Sequence, residues 1–319
     1  MSLSDKNSKV FLTITLNPSI DYGFMVRDCE LYKKNRITKL WRSIGGKGIN
    51  TALVLGILGH PVISFLVVGD KERYSFEKVL IDNNVTPRII SINKSTRCNF
   101  KVIEISSGKD TEFNEKGFSI SPRIYLQIKK EIEKLLPSCG YLVISGSLPP
   151  GIKPDIYGEL IHKSNQLNII NAIDTSGPEL SISIESKPVI LRLNKKEIEE
   201  YKGVTFENLR ELGETAQQIC KSGVRWVVVS LGADGALGAD GSEIWYASPP
   251  KMSVINPIGS GDAMLAGLLS SFSRSLTLPN ALLFSTSLAT ARVISQNIVD
   301  LDLKIVNSIK EKTTLRKIR

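Results

Sequence analysis

The sequence predicts an α/β fold: a mainly parallel central sheet with helices on both faces and a small β lid over one end. Three observations carry this. Short, wholly apolar runs recur along the chain, each ending in polar or glycine residues. Candidate helices separate most of them. Fully apolar strands joined by helical crossovers form parallel sheets buried on both faces. Finally, two half-polar, β-rich stretches break the rhythm directly after core strands.

In chain order, Met1 to Lys9 is polar and reads as a frayed leader. VFLTITL (10–16) is a buried strand stopped by Asn17-Pro18. DYGFMVRD and NRITKLWRSI then read as half-exposed antiparallel strands, a first lid segment over about 21–44. GKGINTALVLGILG (46–59) places Ile49, Ala52, Leu53 and Gly56 at helical spacing and ends at Gly59 with Pro61 beyond. ISFLVVGD follows as a core strand. CNFKVIEI and TEFNEKG form a second lid segment, over about 97–118, again read as antiparallel. Pro122–Leu136 and Phe206–Ser222 read as helices, and YLVISGS, NIINAIDTSG, VILRLN and RWVVVSLGADG as strands. A last helix starts at Ser260. No repeat or low-complexity linker divides the chain. One domain over 1–319 with inserted lid segments is therefore expected, and a lid at the carboxyl ends of the strands would cover the ligand site.

Composition excludes several functions. The four cysteines lack metal-ligand or CxxC spacing and read as reduced, cytoplasmic thiols. With only His60 and His162, a histidine metal site or a Ser/His triad has little to draw on. No apolar window of about 18 residues exists, so no membrane partner is expected. The net charge of +9 suggests nucleic acid, but Lys304–Arg319 holds six Lys/Arg against one Glu, so five of those charges sit in what reads as a solvated terminal helix or tail. No nucleic-acid motif accompanies it.

The chemistry concentrates in INPIGSGDAMLAGLLSSF (255–272). Gly259 and Gly261 permit positive φ, so the amides of 258–262 can turn inward as a nest, and Ser260 opens a helix. The nest and the helix end together suit phosphate charge. The loop is neither GxxxxGK[ST] nor GxGxxG. Asp262 reads as a helix cap or as the base that takes a proton from an attacking hydroxyl. In IGGKGINTA (44–52), Gly45, Gly46 and Gly48 would bring backbone close to a polar ligand. Lys47 would meet a phosphate or solvent, and Asn50 sugar hydroxyls. Asp21, in NPSID, reads as a polyol ligand or a turn carboxylate. On an extended strand Arg97, Asn99 and Lys101 share one face, either a phosphate clamp or a solvated lid surface.

Taken in order, NPSID, GGKGIN, TRCNFK, SGSLPPG, DTSG, SLGADGA and GSGDAMLAG resemble the PfkB/ribokinase carbohydrate kinases, and most closely the 1-phosphofructokinase and tagatose-6-phosphate kinase branch. The resemblance spans Thr15 to about Gly267. It implies a ribokinase-like three-layer αβα sandwich, ATP as donor, Mg²⁺, a sugar phosphate as acceptor, and often a homodimer joined through lids. It makes Asp262 the catalytic base and Gly259, Ser260 and Gly261 the anion hole. Asp21, Gly46, Lys47, Asn50, Arg97 and Asn99 match sugar-phosphate positions. Ser230, Gly232 and Gly235 fall in the nucleotide-binding strand end. The family's Lys-Pro-Asn-x-x-Glu run is here Arg192-Leu193-Asn194-Lys195-Lys196-Glu197. Asn194 and Glu197 are kept, toward the nucleotide and, through water, Mg²⁺. The expected activity is phosphorylation of fructose 1-phosphate, with tagatose 6-phosphate as the alternative substrate. The altered Arg192-Leu193 pair is the one feature that supports a catalytically silent sugar-phosphate sensor.

Overall fold

The computed structural model describes residues 9–318; the polar stretch read as a leader, Met1 to Lys9, lies outside them except for Lys9. The strands are β1 (Val10–Thr15), β2 (Ser19–Val26), β3 (Ile37–Gly45), β4 (Val62–Gly69), β5 (Val85–Ile92), β6 (Arg97–Glu104), β7 (Asp110–Asn114), β8 (Cys139–Ser145), β9 (Ile170–Asp174), β10 (Ile190–Asn194), β11 (Trp226–Ser230), β12 (Ala236–Ala239), β13 (Ile244–Ser248) and β14 (Thr314–Lys317). The helices are α1 (Lys47–Ile57), α2 (Arg73–Asp82), α3 (Pro122–Leu135), α4 (Asp155–Gln166), α5 (Pro178–Glu185), α6 (Lys195–Lys202), α7 (Leu209–Lys221), α8 (Ser260–Ser273), α9 (Leu278–Val293) and α10 (Leu303–Lys312).

The main sheet runs β14-β13-β12-β11-β10-β9-β8-β1-β4-β5. From β5 through β11 every neighbouring pair is parallel, and β12, β13 and β14 are added antiparallel. Alternation along each strand splits the core in two. Leu12, Ile14, Val227 and Val229 face one apolar layer, while Phe11, Trp226 and Val228 face the other. The second layer also buries Leu53, Leu265 and Leu282 of α1, α8 and α9. From β1 the chain goes to β4 and β5 on one side and later to β8, β9 and β10 on the other. The direction of winding therefore reverses between β1 and β8, and the crevice that such a switch opens lies at the strands' carboxyl ends.

Two expectations need correction. The lid is a separate four-stranded sheet, β3-β2-β6-β7, but its central pair, β2 and β6, is parallel. Only the outer pairs are antiparallel. The reason is topological: β2 continues outward from β1 and β6 from β5, and β1 and β5 point the same way in the main sheet. The basic C-terminus does hold the solvated helix expected of it, α10, with its cations exposed, but the segment beyond is not a tail. After α10 it returns as the edge strand β14 on β13. Lys317 meets Glu243 at 2.5 Å and the Arg316 guanidinium lies 5.0 Å from the Tyr246 ring centre. Cationic side chains on an edge strand discourage pairing with another sheet.

Candidate active site

At the carboxyl ends of the strands, beneath the lid, lies a cleft of about 670 Å³. A more apolar cleft of about 470 Å³ runs beside it, lined by Ser230, Gly232, Gly235, Met252, Val254 and Val293 among others. The two share Arg192, Pro257 and Gly261. Asp262 lines the first, and Gly261 and Ser260 the second.

Local chemistry sets this junction. Gly259 caps α8 with φ 81, a left-handed conformation that side chains resist. It turns the chain into the helix so that Ser260, Gly261 and Asp262 occupy the first turn, where amides lack intrahelical partners. Gly261 is helical and does not take a positive φ, contrary to the sequence reading. Its missing side chain serves another purpose: a Cβ there would lie 2.6 Å from Arg192 Nη1.

Asp262 is 6% exposed, and Asn50 Nδ2 donates to its Oδ2 at 2.8 Å. Burial and the neighbouring Asp174 push its carboxyl up to about 6, against the pull of Lys47 and Arg192. A carboxylate that is still ionised at neutral pH yet basic enough to accept a proton suits a general base. Asp174, at the end of β9, is fully buried between two cations, with Lys47 Nζ at 2.5 Å and Arg192 Nη1 at 2.8 Å. Burial alone would raise Asp174, but the two cations outweigh it and hold the group below the usual range. Arg192 Nη2 also donates to Ser230 Oγ at 2.6 Å, while its buried Nε has no hydrogen-bond partner.

Four more orphaned side-chain atoms belong to residues lining the first cleft: Thr15 Oγ1, Asn17 Oδ1, Asn99 Oδ1 and Ser145 Oγ. Buried polar atoms are nearly always bonded, so this cluster is open to water or to a polar ligand in the cleft. Asp21 accepts from Ser19 Oγ at 2.7 Å and Asn99 Nδ2 at 2.9 Å, and burial raises its carboxyl.

The pfkB family carbohydrate kinase model matches residues 15–300. The chain belongs to that family. It is 28% identical over 305 residues to the 1-phosphofructokinase of Haemophilus influenzae, covering 95% of this chain and 97% of that one. Phosphofructokinase-2 from Escherichia coli, solved with substrates and products, superposes with a TM-score of 0.87 at 26% identity, covering 95% of this chain and 98% of the other. A Thermotoga maritima structure at 22% identity shares the fold with a TM-score of 0.87, over 97% of this chain and 100% of its own. The fold is therefore the ribokinase-like sandwich of pfkB kinases, and the chain is a carbohydrate kinase.

Most of the sequence-predicted residues of this pfkB kinase meet in the two clefts. Asp21, Gly46, Lys47, Asn50, Arg97, Asn99, Asn194, Gly259, Gly261 and Asp262 line the first; Ser230, Gly232, Gly235, Ser260 and Gly261 line the second. Gly45 and Gly48 make room for protein: a Cβ on Gly45 would overlap the Asp21 carboxylate, and one on Gly48 would sit 2.8 Å from Ile14 O. Lys101, on the same strand face as Arg97, is taken up by Asp110 and Glu112 at 2.8 and 2.9 Å. Asn194 and Glu197 form a reciprocal capping box that starts α6, using Glu197 Oε2 and leaving Oε1 3.9 Å from Lys47 Nζ. The sequence reading did not assign roles to Asp174, Arg192 or Arg292. Asp174 stood inside the DTSG motif and Arg192 at the family departure, which were the available signals; Arg292 offered none.

Proposed function

We propose that this chain is an ATP-dependent kinase that phosphorylates the free primary hydroxyl of a ketohexose phosphate, converting fructose 1-phosphate to fructose 1,6-bisphosphate. The observation that carries the reading is Asp262: a buried, raised carboxylate on a helix's first turn, where a polar cleft and an apolar cleft meet. The polar cleft suits the sugar phosphate and the apolar one the nucleotide. Asp21 and Asn50 hold sugar hydroxyls. Arg97 and Lys47 supply charge for phosphate, Arg97 by the lid and Lys47 nearer Asp174. The hydroxyl oxygen attacks the terminal phosphorus, its proton passes to Asp262, and ADP leaves. The amides behind Gly259 and the Arg192 guanidinium meet the charge on the transferring group.

Mg²⁺ fits this donor set. Among the described residues no three metal-ligating side chains gather, but Mg²⁺ commonly keeps waters and takes one or two carboxylates plus phosphates. Glu197 lines neither cleft, so its uncapped Oε1 would reach the ion only through water. Bound there, the ion would neutralise triphosphate charge.

The Haemophilus influenzae relative supports fructose 1-phosphate. Tagatose 6-phosphate carries its phosphate and free primary hydroxyl at exchanged ends, fits the same pocket with the ring reversed, and is the alternative. A homodimer through the lids belongs to the same reading, since Ile37, Leu40 and Phe113 remain exposed on the lid strands. So do a single kinase domain and a cytoplasmic location; among the described residues no helix is long and apolar enough to cross a membrane.

An ADP-release assay over fructose 1-phosphate, tagatose 6-phosphate, fructose 6-phosphate and fructose tests the assignment. Fructose 1-phosphate should give the highest kcat/KM, and Asp262→Asn should bind ATP yet lose turnover by about a thousandfold or more. Near-normal kcat in that variant would remove Asp262 as the base, and turnover of free fructose at a comparable kcat/KM would remove the sugar-phosphate reading.

A further inference from the structure

Behind the anion-binding turn stands a buried cation with no assigned partner. Arg292 lies in the last turn of α9 and is 3% exposed. Its Nη1 donates to Ser295 O at 2.8 Å, and its buried Nε has no hydrogen-bond partner. Among the described residues it makes no ion pair within 4.0 Å. Burial pushes the guanidinium down to about 10, with Asp262 and Asp300 as its favourable charges, so it stays protonated at neutral pH. A buried charge without a partner is strongly unfavourable by itself. Its surroundings say what completes it.

A Cβ added to Gly259 would lie 3.5 Å from Arg292 Nε and 3.5 Å from Asn50 Nδ2, the nitrogen whose amide holds Asp262. The turn itself is stitched to the end of α9. Ile255 and Asn256 amides donate to Val293 O at 2.8 and 3.0 Å, and Asn256 Nδ2 donates to Gln296 O at 2.8 Å. Asn256 Oδ1 in turn accepts from the Ile258 amide at 3.0 Å. The guanidinium borders a cavity of about 260 Å³ behind the turn and is absent from the lining of the main cleft. Asp21, Asn50 and Ile258 line both spaces, so the guanidinium stands one layer behind the main cleft, against the turn.

We propose that Arg292 is a positioning residue for phosphoryl transfer: its fixed positive charge behind Gly259 strengthens the anion hole and holds the Gly259 turn against Asp262. The missing counter-charge is the phosphoryl group itself, which arrives on the other side of the turn. Low polarity around the guanidinium makes its field reach further than that of a surface arginine. The inference rests on the kinase reading above.

The test compares wild type, Arg292→Met and Arg292→Lys in steady-state assays with ATP, Mg²⁺ and fructose 1-phosphate, alongside thermal unfolding. Arg292→Met should lose kcat by roughly ten- to a hundredfold, the order of one oxyanion donor, with KM for the sugar phosphate nearly unchanged. Arg292→Lys should recover part of that loss, and millimolar guanidinium should partly rescue the Met variant. The acid limb of kcat should move to higher pH, because Asp262 loses one nearby cation while Lys47, Arg192 and Asp174 still face it. A variant that melts earlier but keeps full kcat, a loss confined to KM, or an unmoved acid limb would overturn the proposal. If Arg292→Met does not fold, Arg292→Gln, which keeps a hydrogen-bond donor and removes the charge, decides by the same loss of kcat and the same shift of the acid limb. Wild type that phosphorylates none of the four sugars would overturn the kinase reading instead.

Discussion

At the residue scale the site is governed by how charge is buried. Asp174, Asp262, Lys47 and Arg192 form one cluster in which each carboxylate is answered differently. Asp174 takes both cations directly and stays ionised. Asp262 is left with an amide from Asn50 and rises to about 6. Their separation in acidity suits the proposed division of roles, with one carboxylate bracing the cluster and the other exchanging a proton. Two measurements follow. As the proposed base, Asp262 would work only when ionised, so kcat should fall about tenfold per pH unit below about 6. For stability, the folded-state value lies above the ordinary aspartate value of 3.8, so the folded chain holds more protons than the unfolded one between the two. The advantage of the neutral carboxyl is present at low pH and is lost as pH rises through about 6. Asp262→Asn should therefore raise Tm at pH 7 to 8, with the gain shrinking toward pH 4. An equal gain at both ends would show that charge burial at Asp262 is not the cause.

At the scale of elements, α8 shows a local rule reversed by its neighbour. Gly to Ala inside a helix ordinarily stabilises by about 1 kcal/mol. Gly261→Ala should do the opposite, because its Cβ would press on the Arg192 guanidinium, whose Nη1 pairs with the buried Asp174. Urea unfolding should show a loss of about 1–3 kcal/mol, together with reduced kcat. A gain in stability would mean that Arg192 moves aside freely. The helix start at Ser260 was readable beforehand, since glycine, serine, glycine and an acid precede an apolar run. That Gly261 spares space for an arginine on β10, 69 residues earlier, was not readable, because nothing local in either segment refers to the other. Likewise the Asn194–Glu197 spacing was visible, but its use as a capping box depends on the backbone leaving β10 at that point.

For the whole molecule, the two clefts join the lid, the carboxyl ends of the parallel strands and the α8 start. Ligands that bind there should tie these parts together. Fructose 1-phosphate with a non-hydrolysable ATP analogue, each at about a hundred times its Kd, should add about 2.7 kcal/mol per ligand and raise Tm by several degrees. Arg97→Ala, which removes a lid cation bonded to Asn17 O and Glu115 O, should lose the sugar-phosphate shift and keep the nucleotide shift. Loss of both shifts would show that Arg97 serves the fold and not the sugar phosphate.

The sequence alone determined the alternation of core strands and helices, the two lid insertions, the glycine turn before an acidic helix start, and the kinase family. These are local patterns: apolar runs, glycine placement and ordered motifs, each set by the few residues that compose it. Only the tertiary structure decided that β2 and β6 run parallel, that the basic tail closes the sheet edge, and that Lys47 and Arg192 share Asp174. It alone put Arg292 behind Gly259. Those outcomes depend on where distant segments meet, and a buried charge takes its meaning from neighbours that the chain supplies only after it has folded.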